Sequence, residues 1–599
     1  MRFKSSRSKP IQVFAVSGVN TISFGIKASE EAKAGLLGFA VERFDPEADE
    51  RYFMPSYKVF RSVIPNPLPD ASLSTWEHPV QSFVWDDFTA KPDHEYEYFF
   101  YPLRGTPKNL DRSAKPVRIR VRTEPLFGKG KDIRHDVFFN RGVASSQAYR
   151  RRFGNLPPDK MDGDKAKDAE QWLMRDLLEA ALRFIGNAKE GDTLLCCFYE
   201  FRFEPVAKAL RDAIDRKVNV QLIIDAKVNE KRDKKGNVTE PSFPREDNLA
   251  MLKTARIPKK HVTLRQAKPA NIQHNKFMVL VRGGRPKEVW TGSTNISLGG
   301  FSGQTNVGHW VREPEVAKQF KAYWELLKTD PGAVAGLERS EAIKANRLLW
   351  EAVGGLHETP TEYEQIPQGT TAVFSPRAGG AVLDMYVRLC ATSKACSCIT
   401  LAFGINESFK KELLDNTSRS NIIFMLLEKR DAANPRSSKP FVPLTARQNV
   451  YQAWGAYIKD PVYQWARETN ASLLKLNHHV TYVHSKFLLM DPLGDDPLVV
   501  TGSANFSKAS TNDNDENMLI VRGDRRVADI YFTEFNRLFN HYYFRSVTEA
   551  TQGNGHGGDA AASLFLAERA DDWLGKYAPG KLKAKRLRLF TEMEGAQTL

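Results

Sequence analysis

One pattern of polar residues on apolar runs occurs twice in this chain of 599 residues. The first copy has His274 and Lys276 followed by Gly292-Ser293-Thr294-Asn295, and the second copy has His484 and Lys486 followed by Gly502-Ser503-Ala504-Asn505. In both copies, the glycine lies 18 positions after the histidine. A single HxK pair carries little information, but two pairs followed by GSxN at one offset indicate an internal duplication. The chain is therefore predicted to contain two similar lobes.

The local structure of each copy follows from its residue types. Histidine and lysine lie two residues apart in a β-prone apolar run, so on a strand they share one face. A turn and a second apolar run lead to GSxN, which predicts a hairpin-like pair of strands. The glycine permits a close approach of the backbone, and the serine and asparagine offer short hydrogen-bonding groups.

These side chains by themselves indicate chemistry on a phosphodiester. Two histidines, two lysines and two asparagines that converge would form a cationic pocket, in which the ammonium and amide donors suit nonbridging phosphate oxygens. One imidazole can be a covalent nucleophile, while the other protonates the leaving oxygen and then deprotonates the incoming water or alcohol. Metal binding is the rival use of paired histidines. The chain has no HExxH and no CxxC…H array, and the lysines would repel a cation, so neither a metal nor another cofactor is predicted.

The pattern resembles the HxK(x)4D…GSxN motif of the phospholipase D superfamily, and its two copies resemble the bilobal members of that superfamily. The second copy matches fully, with Asp491 five residues after Lys486, whereas Val281 stands at this position in the first copy. A position after GSxN that is usually acidic holds Glu516 in the second copy and Asn306 in the first.

The resemblance implies a metal-independent phosphodiesterase that forms a phosphohistidine, with its active site complete within one chain. It implies that His274 is the nucleophile and His484 the general acid and base. The remaining residues that it assigns to the site are Lys276, Lys486, Ser293, Ser503, Asn295, Asn505, Asp491 and Glu516. In some bilobal members the acidic residue orients the imidazole of the opposite lobe, so Glu516 would serve His274 and Asn306 would face His484. If pairing is within a lobe, Glu516 would serve His484 and the roles could be exchanged; the sequence leaves both arrangements open.

The remaining sequence predicts an α/β protein with an N-terminal all-β sandwich. Short alternating strands with turn-rich connections precede a switch to helix-strand alternation, which then repeats. Residues around Gly38-Phe39, Trp85-Asp86-Asp87 and Tyr96-Glu97-Tyr98 resemble a fibronectin type III module, which would bind a protein partner or act as a spacer. The predicted units are a β-sandwich (1–122), a connector (123–165), lobe 1 (166–331), a crossover (332–368), lobe 2 (369–547), and a linker with a basic C-terminal segment (548–599).

Charge and composition narrow the substrate class without deciding it. The formal net charge of +15 favours a polyanion, either nucleic acid or an anionic membrane surface. Five cysteines without paired CxxC spacing, no secretory signal and no apolar run of membrane-spanning length predict a cytoplasmic protein. A nuclease is therefore favoured over a phospholipase D that releases lipid headgroups. The substitutions at Val281 and Asn306 leave open a third class, an inactive scaffold that binds nucleic acid or membrane.

Overall fold

The computed structural model describes residues 1–6, 10–56, 58–67, 73–130, 132–142, 147–154, 156–266, 272–329, 339–414, 416, 420–433, 441–455, 480–553 and 565–599. Within these ranges, no helix combines the length and the apolar character that a bilayer crossing requires.

The N-terminal region folds into two antiparallel sheets that share one core. In the longest strand, Tyr96, Tyr98 and Phe100 are buried and alternate with more accessible residues, as expected of a strand with one face on the core. The sheet orders are β1-β2-β3-β7 and β10-β8-β4-β5, with β9 beside β8. The predicted N-terminal all-β region is confirmed, whereas its likeness to a fibronectin type III module stays a prediction. The elements are β1 (Arg2–Lys4), β2 (Ile11–Ser17), β3 (Ile22–Ala28), α1 (Glu30–Lys33), β4 (Gly38–Asp45), β5 (Glu50–Phe53), β6 (Val59–Phe60), β7 (Val84–Asp87), β8 (Glu95–Thr106), β9 (Asn109–Asp111) and β10 (Val117–Arg122).

Lobe 1 is a seven-stranded mixed sheet flanked by helices. Its sheet order is β11-β19-β18-β17-β12-β13-β16, and the pairs β12-β13 and β13-β16 are parallel. The edge strand β11 comes from the segment between the predicted sandwich and the predicted lobe. The elements are β11 (His135–Phe139), α2 (Gln147–Phe153), α3 (Gly163–Met174), α4 (Leu177–Gly186), β12 (Thr193–Phe198), α5 (Glu204–Asp215), β13 (Asn219–Asp225), β14 (Lys231–Arg232), β15 (Val238–Glu240), α6 (Arg245–Thr254), β16 (Val262–Arg265), β17 (Lys276–Arg282), β18 (Arg285–Gly292), β19 (Val307–Val311) and α7 (Pro314–Lys328).

Lobe 2 repeats this arrangement. Its sheet order, β20-β26-β25-β24-β21-β22-β23, corresponds strand by strand to that of lobe 1. The predicted duplication into two α/β lobes is therefore confirmed. The elements from the crossover onward are α8 (Arg339–Gly354), β20 (Gly369–Ser375), α9 (Ala381–Ala391), β21 (Cys396–Leu401), α10 (Glu407–Leu413), β22 (Ile422–Leu427), β23 (Val450–Trp454), β24 (Phe487–Met490), β25 (Leu498–Gly502), β26 (Glu516–Arg522) and α11 (Arg525–Gly553).

The C-terminal segment returns to the N-terminal region. It contains β27 (Phe565–Leu566), α12 (Ala570–Leu574) and α13 (Leu582–Thr591), and β27 pairs with β6 in parallel. Trp573 is buried in the core between the N-terminal sheets, and Phe590 contacts Gly25 on β3. The tail is therefore docked against β3 and β6, while most of the predicted linker before it lies outside the described residues.

Candidate active site

Two short bridges between the lobes place the motif histidines. In one, the backbone N–H of His274 donates to the carbonyl of Asp515 at 2.9 Å, and the N–H of Asp515 donates to that of Ile272 at 3.0 Å. In the other, the N–H of Thr305 donates to the carbonyl of Tyr482 at 2.8 Å. Each bridge joins the chain just before a motif histidine to the chain just after the GSxN of the opposite lobe. Both histidines are thereby brought to the interface between the two sheets.

The bridges lead to a crossed pairing of the imidazoles. Nδ1 of His274 lies 3.0 and 2.9 Å from the two carboxylate oxygens of Glu516. Nδ1 of His484 lies 2.9 Å from Oδ1 of Asn306. Of the two arrangements that the sequence leaves open, the structure has the one in which each histidine is oriented by the other lobe.

The neighbours of Asn306 fix the tautomer of His484. The amide Nδ2 of Asn306 donates to the carbonyl of Gly300 at 2.8 Å, and its Oδ1 accepts from the hydroxyl of Ser293 at 2.8 Å. An oxygen therefore faces Nδ1 of His484, so that this nitrogen must carry the proton. When Glu516 is ionised, its carboxylate requires the same of Nδ1 in His274. In both neutral imidazoles, Nε2 is the nitrogen left for a substrate.

The two lysines are held in the same way and are buried. Nζ of Lys276 donates to the carbonyl of His274 at 2.6 Å, and Nζ of Lys486 donates to the carbonyl of His484. The exposed fractions of Lys276 and Lys486 are 2% and 0%. Among the described residues, neither ammonium has a carboxylate within ion-pair distance. Burying two ammonium groups without a direct counter-ion is costly, which indicates that they await an anion.

The serines and glycines of GSxN shape the backbone. The hydroxyls of Ser293 and Ser503 accept from the N–H groups of Val307 and Asn517 at 3.1 and 3.0 Å. A Cβ on Gly292 would lie 2.2 Å from the carbonyl oxygen of Val307, at a φ of +141°. The predicted close approach at this glycine is thus present, while the serines hold the loop that carries each asparagine.

The asparagines line the cavity, but their surroundings differ. Nδ2 of Asn295 donates to a carboxylate oxygen of Glu200 at 2.7 Å. Oδ1 of Asn295 and Oδ1 of Asn505 are buried without a hydrogen-bond partner in the described part of the chain. Unsatisfied buried polar atoms are uncommon and are typical of a site that a ligand completes.

Burial in the pocket disfavours positive charge on its histidines and lysines. Burial, followed by the charges of the two lysines, lowers the pKa of His274 well below its usual value, and burial and Lys486 do the same to His484. Burial lowers the pKa of Lys276 to about 8, and it lowers the pKa of Lys486 well below its usual value. Burial raises the pKa of Glu516 to about 8, against the attraction of the lysines. An anionic ligand would relieve the repulsion between these cations and would raise the pKa values of the histidines and lysines.

Both imidazoles face one cavity of about 760 Å³ between the lobes. Its wall includes Tyr199 and Arg202 from lobe 1, residues of the β14-β15 hairpin, and Phe403 from lobe 2. Among the described residues, no group of three or more His, Cys, Asp or Glu side chains is arranged to hold a metal ion.

The structure does not bring Asp491 to this cavity. Its carboxylate lies at the far end of β24, where it accepts from the backbone N–H groups of Lys394, Ala395 and Cys396 at 2.7, 2.7 and 3.1 Å. Asp491 therefore has a structural place at the start of β21 rather than a place among the reacting groups. Val281, its counterpart in lobe 1, is buried in the core with an exposed fraction of 6%.

Two acidic residues that support the motif loops escaped the sequence analysis. At the end of β13, Asp225 accepts from the N–H of Gln273 at 3.1 Å. Directly after β22, Glu428 accepts from the N–H groups of Thr481, Tyr482 and Val483 at 2.7–2.9 Å. The signal that could have found them is their shared position, since each stands at the carboxyl end of the third strand of its lobe, in NVQLIID and in IIFMLLE.

Comparisons with known proteins agree with the two-lobed arrangement. A family model described as "Cardiolipin synthase, PLD-like domain" matches residues 181–327 and 388–539. A search of curated proteins found no match.

Several solved structures are similar to this chain. Among them are a polyphosphate kinase from Porphyromonas gingivalis (11% identity, 59% of this chain and 46% of that chain, TM-score 0.35), a phosphatidylserine synthase from Haemophilus influenzae (13% identity, 71% and 99%, TM-score 0.42), and yeast tyrosyl-DNA phosphodiesterase (12% identity, 59% and 88%, TM-score 0.29). The chain thus spans less than half the length of the kinase.

Proposed function

The chain belongs to the phospholipase D superfamily, and we propose that it is a nuclease that hydrolyses phosphodiesters through a covalent phosphohistidine. The observation that supports this most strongly is the crossed pair of imidazoles. Both present Nε2 to one cavity, and one is held by a carboxylate while the other is held by a neutral amide. This asymmetry suits two different chemical tasks.

In the first step, Nε2 of His274 attacks the phosphorus. A P–N bond forms, the P–O bond to the leaving group breaks, and the leaving oxygen takes the proton from Nε2 of His484. The positive charge that develops on the imidazole of His274 lies beside Glu516, 2.9 Å from Nδ1, and this charge lowers the raised pKa of Glu516 and favours its ionised form. A carboxylate in this position orients the ring and stabilises an imidazolium. We therefore assign the nucleophile to His274.

In the second step, His484 acts as the base. Its Nε2 takes a proton from water, the water oxygen attacks the phosphorus, and the P–N bond breaks to restore His274. The bond from Nδ1 of His484 to Oδ1 of Asn306 keeps Nδ1 protonated throughout. Nε2 is therefore always the atom that gains and loses the proton.

Lys276 and Lys486 neutralise the phosphoryl oxygens in this scheme. Burial lowers the pKa values of both lysines, and a bound phosphodiester would restore the full charge of both ammonium groups. The same anion raises the pKa of His484. Nε2 of His484 is therefore protonated when substrate is bound, and it can give this proton to the leaving oxygen in the first step. The developing charge is met by lysines, so the scheme does not route any step through a metal.

The choice of nucleic acid as substrate rests on charge. The chain carries a net charge of +15, and the hairpin beside the cavity holds Lys231, Arg232, Lys234 and Lys235. A lipid headgroup is the second candidate, since the matching family model is described by a cardiolipin synthase and the exposed Val228 and Val238 lie on or next to the same hairpin.

Cleavage assays in EDTA separate these candidates. The protein is incubated with labelled single- and double-stranded DNA and RNA, and separately with vesicles of phosphatidylcholine, phosphatidylglycerol or cardiolipin. We expect nucleic-acid cleavage that is lost in His274→Ala and in His484→Ala. Headgroup release or exchange without nucleic-acid cleavage would establish the lipid enzyme instead. Tight binding of either polyanion that is unchanged in both variants, with no turnover, would indicate the inactive scaffold.

A further inference from the structure

The entrance to the cavity differs between the lobes at one equivalent position. Leu194 on β12 pairs with Leu280, and Ser397 on β21 pairs with Met490. Leu280 and Met490 each lie six residues after their motif histidine, so β12 and β21 have the same register. Counting along both strands, Glu200 in lobe 1 corresponds to Phe403 in lobe 2. An acidic side chain and an aromatic ring thus occupy matching places beside the two asparagines.

The lobe 1 residue is bonded and buried. Glu200 has an exposed fraction of 6%, accepts from Nδ2 of Asn295 at 2.7 Å, and accepts from Nε of Arg202 at 2.9 Å. It completes a polar wall on the lobe 1 side of the cavity.

The lobe 2 residue has the opposite character. Phe403 lines the cavity together with His484 and Asn505, yet its exposed fraction is 70%, the highest among the exposed large hydrophobic residues of the described chain. None of the ring contacts between described aromatic residues involves it. Single exposed apolar residues are common on protein surfaces, but this ring is exposed beside two motif residues in the cavity, where a ligand would meet it.

We propose that Phe403 is a stacking platform for an unpaired nucleobase next to the scissile phosphate, which makes single-stranded nucleic acid the substrate. This inference rests on the proposed nuclease function. Every base has a flat π-face, and an aromatic ring beside a cationic groove is the usual means of holding a single strand without sequence preference. In a duplex both faces of the base are covered by its neighbours, so the same ring has nothing to stack on.

The opposite side of the cavity offers contacts for the backbone of such a strand. The β14-β15 hairpin borders the cavity through Lys231 and Glu240, which pair with each other at 2.7 Å. At its exposed tip, Lys234 and Lys235 form no ion pair with a described residue. Two free ammonium groups on this tip suit the phosphates that flank the cleaved bond. Phe403 would thus bind a base while the hairpin contacts the backbone.

A cycle of variants and substrates tests this inference. The chain is compared with Phe403→Ala, Phe403→Leu and Phe403→Trp on a single-stranded oligonucleotide, on its duplex, and on versions with an abasic residue at successive positions beside the cleaved bond. We expect Phe403→Ala to lower kcat/KM on the single strand by roughly 5- to 100-fold, mostly through KM. Phe403→Trp restores the rate, and Phe403→Leu does not. The loss is much smaller on the oligonucleotide that lacks the stacked base.

The control is Phe88→Ala, which removes an exposed phenylalanine of the N-terminal region and should leave all rates unchanged. Equal losses on the intact and every abasic strand, or full activity of Phe403→Leu, would overturn the stacking role while leaving the nuclease intact. If the unsubstituted protein cleaves no nucleic acid, the result would instead overturn the proposed function. A loss of vesicle binding or headgroup release in Phe403→Ala would assign the ring to a lipid surface and overturn the inference.

Discussion

The two lobes share their strand order and their buried lysines, and they differ in the residue that faces each motif histidine. Both have the same strand order, a short π-helical turn after GSxN (299–303 and 509–513), and a buried lysine that donates to the carbonyl of its histidine. They differ at the partner of each imidazole, where lobe 2 supplies Glu516 and lobe 1 supplies Asn306. The two nonbridging oxygens of a phosphodiester are alike, whereas a nucleophile and an acid need different neighbours.

The comparison also shows that neither lobe holds an oriented histidine by itself. His274 depends on residues 515 and 516, and His484 depends on residues 305 and 306. The duplicated halves therefore exchange their supporting groups. A residue lost from one lobe changes the imidazole of the other.

The largest effects are expected from substitution of the two motif histidines, and trapping the covalent intermediate distinguishes their roles. We expect His274→Ala to abolish turnover of every substrate. His484→Ala should lower the rate on a natural diester by ~10²–10⁴-fold. The rate of the first step on a p-nitrophenyl ester should fall much less, because that leaving group needs no proton. A phosphorus-labelled ester of this kind should leave acid-labile label on His484→Ala after a rapid quench. Label on His274→Ala and none on His484→Ala would exchange the two roles.

Substitution of Glu516 should lower kcat more than substitution of Asn306. Glu516→Gln removes the charge that stabilises the imidazolium of His274, and we expect kcat to fall by ~10²-fold or more. Asn306→Ala removes one neutral hydrogen bond to His484, and we expect a loss of about tenfold. Steady-state kinetics on one oligonucleotide measure both. Similar losses in the two variants would mean that the carboxylate has no special part.

A carboxylate in place of the Asn306 amide gives both imidazoles the same kind of partner and tests how this amide affects the pH profile. In Asn306→Asp a carboxylate faces Nδ1 of His484, which raises the pKa of that imidazole. A general acid with a higher pKa stays protonated to higher pH, so the descending limb of the kcat profile should move to higher pH. Asn306→Gln, which keeps the neutral amide, is the control. A shift of the ascending limb alone would contradict the assignment of His484 as the acid.

The buried lysines should oppose stability in the free protein. Because the pKa of Lys276 is lowered to about 8, the folded state binds fewer protons than the unfolded state between that pH and the ordinary lysine value. The cost is present at neutral pH and fades as the pH rises through this window.

Lys276→Met and Lys486→Met should therefore keep or raise the unfolding free energy, by ~1 kcal/mol, while they abolish anion binding. We expect the larger gain in Lys486→Met, because Glu516 is the first charge that supports Lys276, whereas Lys486 first meets the repulsion of Lys276. Denaturant titrations at pH 7 and pH 9, with and without tungstate, measure this. Destabilisation by both variants at both pH values would contradict it.

The smallest effect on catalysis is expected at the position five residues after the motif lysine, which holds Asp491 in lobe 2 and Val281 in lobe 1. Asp491→Ala removes the acceptor of three backbone N–H groups and should cost ~1–3 kcal/mol of unfolding free energy, with kcat of the folded enzyme unchanged. Val281→Ala is the matched core truncation in lobe 1 and should also leave kcat unchanged. A large fall in kcat with normal stability in Asp491→Ala would return this carboxylate to the active site.

The sequence by itself determined the duplication, the alternation of helices and strands in each lobe, and the histidines and asparagines of the motifs that line the cavity. These follow from local patterns: the spacing of HxK and GSxN fixes which side chains share a strand face, and alternating apolar residues fix which face is buried. The sequence could not show where the Asp491 side chain lies. The spacing of Asp491 from Lys486 in the motif is the same whether its carboxylate enters the cavity or supports the backbone.

Only the tertiary structure decided the contacts between distant segments. The pairing of His274 with Glu516 joins residues on different lobes, and it depends on the bridges at Asp515 and Thr305. The correspondence of Glu200 with Phe403 depends on the register of β12 and β21 against their neighbours, and the docking of the C-terminal tail depends on the face that β3 leaves for Phe590. The physical reason is the same in each case: spacing along a strand is set by backbone geometry, whereas contacts across the fold are set by how whole sheets pack against each other.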